Sequence, residues 1–141
     1  MTLRINANPL EAAFQSTIYR VSSPDGCFDL RIGLINAAFD SFLRARGAAS
    51  WGIITAFNPG AIRLAEEENA SRQARLQALL AQEGWAFLAA CNLDVRADWP
   101  PEPSYLVLQM AQARLCMLAF EFSQSAVVWG ETGQAPSLLW L

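Results

Sequence analysis

The chain contains no histidine. That absence removes Ser-His and Cys-His nucleophilic pairs, imidazole acid–base chemistry, and every zinc or iron site that needs an imidazole ligand. Cysteine is scarce: Cys27, Cys91 and Cys116 are the three present, one short of an all-thiolate zinc site. Each lies in an apolar run, so buried free thiols are expected, cysteine packing as a small hydrophobe. Any catalysis must rest on carboxylates, arginine, amides and hydroxyls, or on a metal held by oxygen ligands.

A basic stripe is also missing. The formal net charge is −3, and without clustered positive charge the chain lacks the electrostatic footprint of a nucleic-acid binder. No long apolar run occurs: Arg4, Asn6, Asn8, Pro9 and Glu11 interrupt the first twenty residues, so neither a signal-peptide core nor a membrane span can be drawn. A soluble cytoplasmic protein without membrane attachment is expected. Internal repeats and low-complexity segments are absent too.

What remains is strongly apolar. Hydrophobic residues make up 53% of the chain and charged residues 16%, far from the balance that keeps a segment disordered. The 141 residues suffice for one well-buried core and are too few for two, so a single domain over 1–141 is expected.

Asn8-Pro9 reads as a helix cap followed by proline at the first helical position, predicting a short packing helix from Pro9 to about Gln15. Thr17 to Val21 and Cys27 to Ile32 read as strands of a hairpin turning at Ser23-Pro24-Asp25-Gly26. Asn36 caps a predicted amphipathic helix through Arg46, with Phe39, Phe42 and Leu43 at helical spacing and Gly47 as its stop. Ser50 to Phe57 is a nearly unbroken apolar run, as in a strand covered on both faces. A long helix is predicted from about Ala65 to Glu83, its start carrying Glu66, Glu67 and Glu68 beside the positive end of the helix dipole. Strands over Trp85–Cys91 and Ser104–Gln109, a helix over Ala111–Phe122 that is apolar nearly all round, a strand over Ala126–Trp129 and an edge strand over Leu138–Leu141 complete the chain.

From Ser50 to Trp129 the order is β-α-β-β-α-β, the split βαβ arrangement of ferredoxin-like folds. The expected fold is therefore α/β in the broad sense (α+β). A mixed sheet carries this core, preceded by the hairpin and a cover helix. Right-handed crossovers place both long helices on one face of the sheet and leave the other to the cover helix.

A helical wheel at about 100° per residue directs attention to one region. Leu76, Leu79 and Leu80 define the inward face of the long helix, and Asn69, Arg72 and Gln73 share that sector nearer its start. This start lies beyond the carboxyl end of the Ser50–Phe57 strand, where ligands usually bind in α/β sheets. Amides there can donate and accept, and the arginine fork suits carboxylate or phosphate. A plainer use is equally open: Glu68 and Arg72, four apart, can pair on the surface, while Asn58 and Asn69 can satisfy loose backbone ends. Asn58-Pro59-Gly60 lacks the glycine spacing and lysine of a P-loop.

A second polar cluster runs from Trp99 to Ser104. Its three prolines, Pro100, Pro101 and Pro103, stiffen the backbone and would hold Trp99 and Glu102 in place. Glu102 is the candidate catalytic residue, as a general base, and an exposed carboxylate on a rigid connection is the alternative. Asp94 and Asp98 match no metal-loop spacing, so no metal site is assigned. Gln124, at the junction of the last helix and strand, either caps the turn or faces the crevice. The residues identify no cofactor.

The segments "ITAFNP", "EEENASRQARLQALL", "WPPEPSYLVL" and "FEFSQSAVVWG" together resemble a bacterial family catalogued as domain of unknown function 3293, over about Tyr19 to Leu139. The resemblance implies a motif set at Thr55, Asn58, Pro59, Asn69, Arg72, Glu102, Ser104 and Gln124, and carries no activity, substrate or cofactor with it. Two readings follow. In one, Thr55, Asn58, Asn69, Arg72, Gln73, Trp99, Ser104 and Gln124 line a crevice for a small polar ligand. In the other, these residues form an internal hydrogen-bond network in an interaction or regulatory module, with Trp99, Trp129 and Trp140 meeting a partner protein or a second copy of the chain. An exposed apolar patch near Leu138–Leu141 would favour the second reading or a homodimer.

Overall fold

The computed structural model describes residues 9–141. The predicted cap, Asn8, lies outside them. In chain order the elements are α1 (Pro9–Gln15), β1 (Thr17–Ser23), β2 (Gly26–Leu30), α2 (Ala37–Ala45), β3 (Ser50–Ile54), a short 3-10 turn (Pro59–Ala61), α3 (Glu66–Gln82), β4 (Phe87–Asp94), β5 (Glu102–Leu108), α4 (Gln112–Glu121), β6 (Ala126–Glu131) and β7 (Ser137–Trp140). The strands form one seven-stranded sheet in the order β2-β1-β4-β5-β3-β6-β7.

All hydrogen-bonded neighbours are antiparallel, so the sheet is not mixed. The reason is topological. β3 and β4 run parallel across α3, but β5 is inserted between them; β5 and β6 run parallel across α4, but β3 is inserted between those. The parallel strands of each split unit never bond directly.

Alternation along the strands builds two cores, one on each face. Trp51, Ile53, Leu106, Leu108 and Val128 pack with Phe39, Phe42 and Leu43 of α2. On the opposite face Ile54, Val107 and Val127 pack with Leu76 and Leu80 of α3 and Leu115, Leu118 and Ala119 of α4. The cover helix thus protects the face that the long helices leave bare. Asn36 begins α2, its side-chain oxygen accepting from Phe39 N at 3.0 Å. The loops beside the two edge strands meet where Gly33 N–H donates to the Pro136 carbonyl (2.9 Å), so the sheet curls around α2.

Several boundaries differ from the sequence reading, each for an identifiable reason. β3 stops at Ile54 rather than Phe57, because the backbone beyond it bonds to side chains: Ala56 N donates to Gln73 Oε1 (2.9 Å), Phe57 N to Thr55 Oγ1 (3.1 Å) and Asn58 N to Asn69 Oδ1 (2.8 Å). β4 continues to Asp94, and β5 starts at Glu102, two residues before the predicted Ser104, with Glu102 paired opposite Asn92. Glu102 is therefore held by strand pairing rather than by a stiff loop. α4 is not buried all round: Met117 and Phe120 are exposed on its outer side. Nor are the thiols buried. Cys27 is exposed on an edge strand, Cys91 and Cys116 are half-buried, and all three are free.

Candidate functional site

β3 and β4 end at the same end of the sheet, and β1, β5 and β6 begin there. That end holds a cavity of about 120 Å³, of the order of the ~150 Å³ apolar cavity that admits benzene. Leu10, Ala13 and Phe14 of α1 contribute its roof, and Tyr19, Ile53 and Val128 its floor. The short first helix, read from sequence as packing alone, is therefore part of a site wall. Phe14 is backed by Trp140, ring centroids 5.5 Å apart and edge to face.

The polar end of the cavity is a cross-strand row. Tyr19 of β1 is paired with Asn92 of β4, which is paired with Glu102 of β5; side chains at paired positions share a face, on strands spaced about 4.8 Å apart. All three line the cavity. Ser104, buried beneath, donates to Asn92 Oδ1 at 2.7 Å and so sets the Asn92 amide. The Tyr19 hydroxyl is buried and makes no hydrogen bond of ordinary geometry among the described residues, the Thr17 hydroxyl being the polar group that acts on it. Burial pushes its pKa well above the ordinary phenol range, the Thr17 hydroxyl opposing this and the Glu102 charge adding to it.

Glu102 is half-buried, and Asn58 Nδ2 donates to its Oε1 at 2.6 Å. Burial raises its pKa above the usual carboxyl range despite that bond. The raised proton affinity, and an Oε2 with no hydrogen bond to the described residues, are what a general acid or base requires. Asp94 is committed differently. Its oxygens accept from the backbone N–H groups of Arg96, Asp98 and Trp99 at 3.0, 3.0 and 3.2 Å. Burial alone would raise its pKa, but those amides hold it below the usual range. It anchors the loop that carries Trp99.

Asn58 joins the cavity to the helix behind it. Its backbone is left-handed (φ 46°, ψ 65°), a conformation asparagine tolerates better than most residues. Oδ1 accepts from Leu64 N (3.0 Å) and Asn69 Nδ2 (2.7 Å). A backbone N–H can only donate, so Leu64 fixes the amide orientation and turns Nδ2 toward Glu102. Asn69 is fixed in the same way by Asn58 N, and Gln73 by Ala56 N.

Of the residues nominated from sequence, Thr55, Asn58, Trp99, Glu102 and Gln124 line the cavity. Asn69, Arg72, Gln73 and Ser104 do not line it and bond within the protein instead. Arg72 Nε donates to the Ala56 carbonyl (2.9 Å) and Nη2 to the Phe122 carbonyl, tying the end of β3 to the end of α4. The Glu68–Arg72 surface pair does not form, since Arg72 is turned inward to those carbonyls. Gln124 Nε2 donates to the Phe57 carbonyl at 3.0 Å, and Thr55 Oγ1 to the Pro103 carbonyl at 2.7 Å. The two readings of the polar cluster thus divide by position: the α3 residues form an internal network, and that network holds the cavity wall in place. Arg72→Ala strips donors from two backbone carbonyls and is expected to cost about 2 kcal/mol in urea unfolding; a change below about 0.5 kcal/mol, typical of a surface residue, would show that the clamp carries no load.

Sequence reasoning missed Tyr19, Asn92, Thr17 and Phe14. The one available signal was Asn92, a polar residue directly after the predicted end of an apolar strand. Among the described residues no helix is long and apolar enough to cross a membrane. Leu138 and Leu139 pack on the two cores, leaving Trp140 and Leu141 as the exposed apolar residues at that edge.

With this geometry in place, the comparisons give one result. The chain belongs to the family described as Protein of unknown function (DUF3293), whose profile matches residues 54–127, just over half of the chain. The match contains β3's end, α3, β5 and α4, and so the whole Asn58 network. No curated protein and no solved structure is detectably similar to it.

Proposed function

We propose that this member of the family binds a small molecule with an apolar body and one hydrogen-bonding head group, seated in the cavity at the end of the sheet with Asn58 and Glu102 at its polar end. Asn69 and Arg72 serve that site from behind by holding the Ala56–Asn58 segment. The observation that carries the reading is the cavity itself, about 120 Å³ with mostly apolar walls and with Asn58, Asn92 and Glu102 gathered among its lining residues. A concave, mostly apolar pocket with a few convergent polar groups, one of them a carboxyl whose pKa burial raises, has the form of a small-molecule site. A rival interaction reading draws on the exposure of Trp140 and Leu141, but Trp140 is already engaged with Phe14.

The test is a fragment screen by thermal shift and NMR on the wild type and on Ala126→Leu, which adds an isopropyl group at a cavity-lining position. A ligand at about a hundred times its Kd should stabilise the wild type by about 2.7 kcal/mol and leave the filled variant unchanged. Fragments that stabilise both proteins equally, or no fragment that binds at all, would sink the proposal.

A further inference from the structure

The cavity's charge and acceptor pattern narrows the ligand further. Resting on the cavity reading above, we infer that its polar end takes a protonated primary amine carried on a short apolar chain. All ten basic residues of the chain are arginines, and no described arginine lines the cavity, whereas Asp94 and Glu102 do. A carboxylate or phosphate ligand would meet the Glu102 carboxyl with no lining cation among the described residues to neutralise it.

An ammonium offers three donors and needs acceptors. The cross-strand row supplies two on one face: Glu102 Oε2, and Asn92 Oδ1, which has capacity beyond the bond it accepts from Ser104. The Asn58 amide is already spent on Glu102, so it does not compete for the head group. Phe14, Phe57 and Trp99 also line the cavity, and aromatic walls attract a cation while covering an apolar chain. The cavity volume restricts that chain to a few carbons.

The inference fixes a pH dependence. Glu102 must be ionised to hold the cation, and burial raises its pKa in the empty protein, so affinity rises as pH rises through the Glu102 range and then levels. The other titratable groups around Glu102 do not reverse this. Tyr19 on β1 stays protonated, its pKa raised by burial, and Cys91, beside Asn92 on β4, stays a thiol for the same reason. Asp94 stays ionised, its pKa held low, with Arg96 3.8 Å away.

The experiment is an NMR titration of the full chain with n-butylamine, n-butanol and butyrate, repeated on Glu102→Gln. The glutamine keeps an oxygen for the Asn58 bond, and the amide spectrum of the unliganded variant verifies its fold. Butylammonium should bind about tenfold tighter than butanol, as a charge-assisted bond to a half-buried carboxylate implies. Butyrate should be the weakest of the three. Glu102→Gln should lose most of the amine preference and keep butanol affinity within about twofold. Amine affinity should increase as pH rises from the ordinary carboxyl range toward neutrality, where the amine itself stays protonated. If butanol or butyrate equals the amine, or Glu102→Gln leaves the amine unchanged, the inference falls and the cavity reading stands. If no probe perturbs cavity residues, both fall together.

Discussion

Asn58→Asp is expected to lower the unfolding free energy by about 3 kcal/mol at neutral pH and to recover most of that loss in acid. The substitution keeps the oxygen that accepts from Leu64 N and Asn69 Nδ2 and replaces the group that, among the described residues, donates to Glu102. Aspartate also tolerates the left-handed backbone at this position. The effect is therefore confined to two carboxyl groups at hydrogen-bond distance, which cannot both ionise there. In the wild type, burial raises Glu102 and the Asn58 bond opposes the rise; the variant removes the opposing bond and adds a like charge.

The sign follows from that direction. A carboxyl whose folded pKa exceeds its unfolded value contributes stability that is full below the unfolded pKa and is lost as pH rises through the folded one. Urea unfolding at about pH 4 and pH 7 reads the difference. A loss of equal size at both values would mean that the Asn58–Glu102 contact is not the origin. Combining Asn58→Asp with Glu102→Gln returns a donor opposite the new carboxylate and should restore part of the neutral-pH stability. Asn58→Ala gives no such rescue, because it also strips the acceptor from Leu64 and Asn69.

This result bears on function because Asn58 belongs to both halves of the site. Its carbonyl oxygen closes the α3 network and its amide nitrogen sets the cavity's carboxyl. Periodicity made the helical half legible. Asn69, Arg72 and Gln73 fall inward on a wheel whatever the strand order, and the structure has Asn69 and Gln73 buried. The strand half was not legible, because membership of a cross-strand row depends on register. Tyr19 is distant in sequence from Asn92 and Glu102, which face each other on consecutive strands, and a shift of one residue in any pairing would move its member to the opposite face. The same limit applied to Glu102. Three nearby prolines predicted a rigid loop, and pairing with β4 overrode them by drawing Glu102 and Pro103 into β5. The element order and the two-sided covering of the sheet were legible because alternation and helical spacing are local signals. The wholly antiparallel pairing followed only once the inserted strands were known.

The largest packing effect is expected at Gly130→Ala, about 3 kcal/mol of destabilisation by thermal or urea unfolding. Gly130 of β6 is paired with Trp51 of β3, and the indole lies flat over it: an added Cβ would meet Trp51 Cζ2 at 2.6 Å and Cε2 at 2.7 Å. Trp51 is 1% exposed, packs edge-on against Phe39 at 5.3 Å, and belongs to the core that α2 covers. A ring so enclosed has little room to move away from the new methyl, so the strain falls on the β3–β6 pairing. Gly52→Ala makes the internal comparison. It sits in β3, paired with Trp129 of β6, on the opposite face, and its Cβ would meet Leu115 Cδ2 at 2.5 Å, the far end of a flexible side chain. Its expected cost is about 1 kcal/mol, near the low end for overpacking. Because β3 and β6 also carry Ile53, Ala126 and Val128 into the cavity, Gly130→Ala should weaken ligand binding as well as folding, while Gly52→Ala should leave it intact. Equal costs at the two glycines would mean that the indole yields as readily as a leucine methyl, and that the cavity floor is softer than its packing implies.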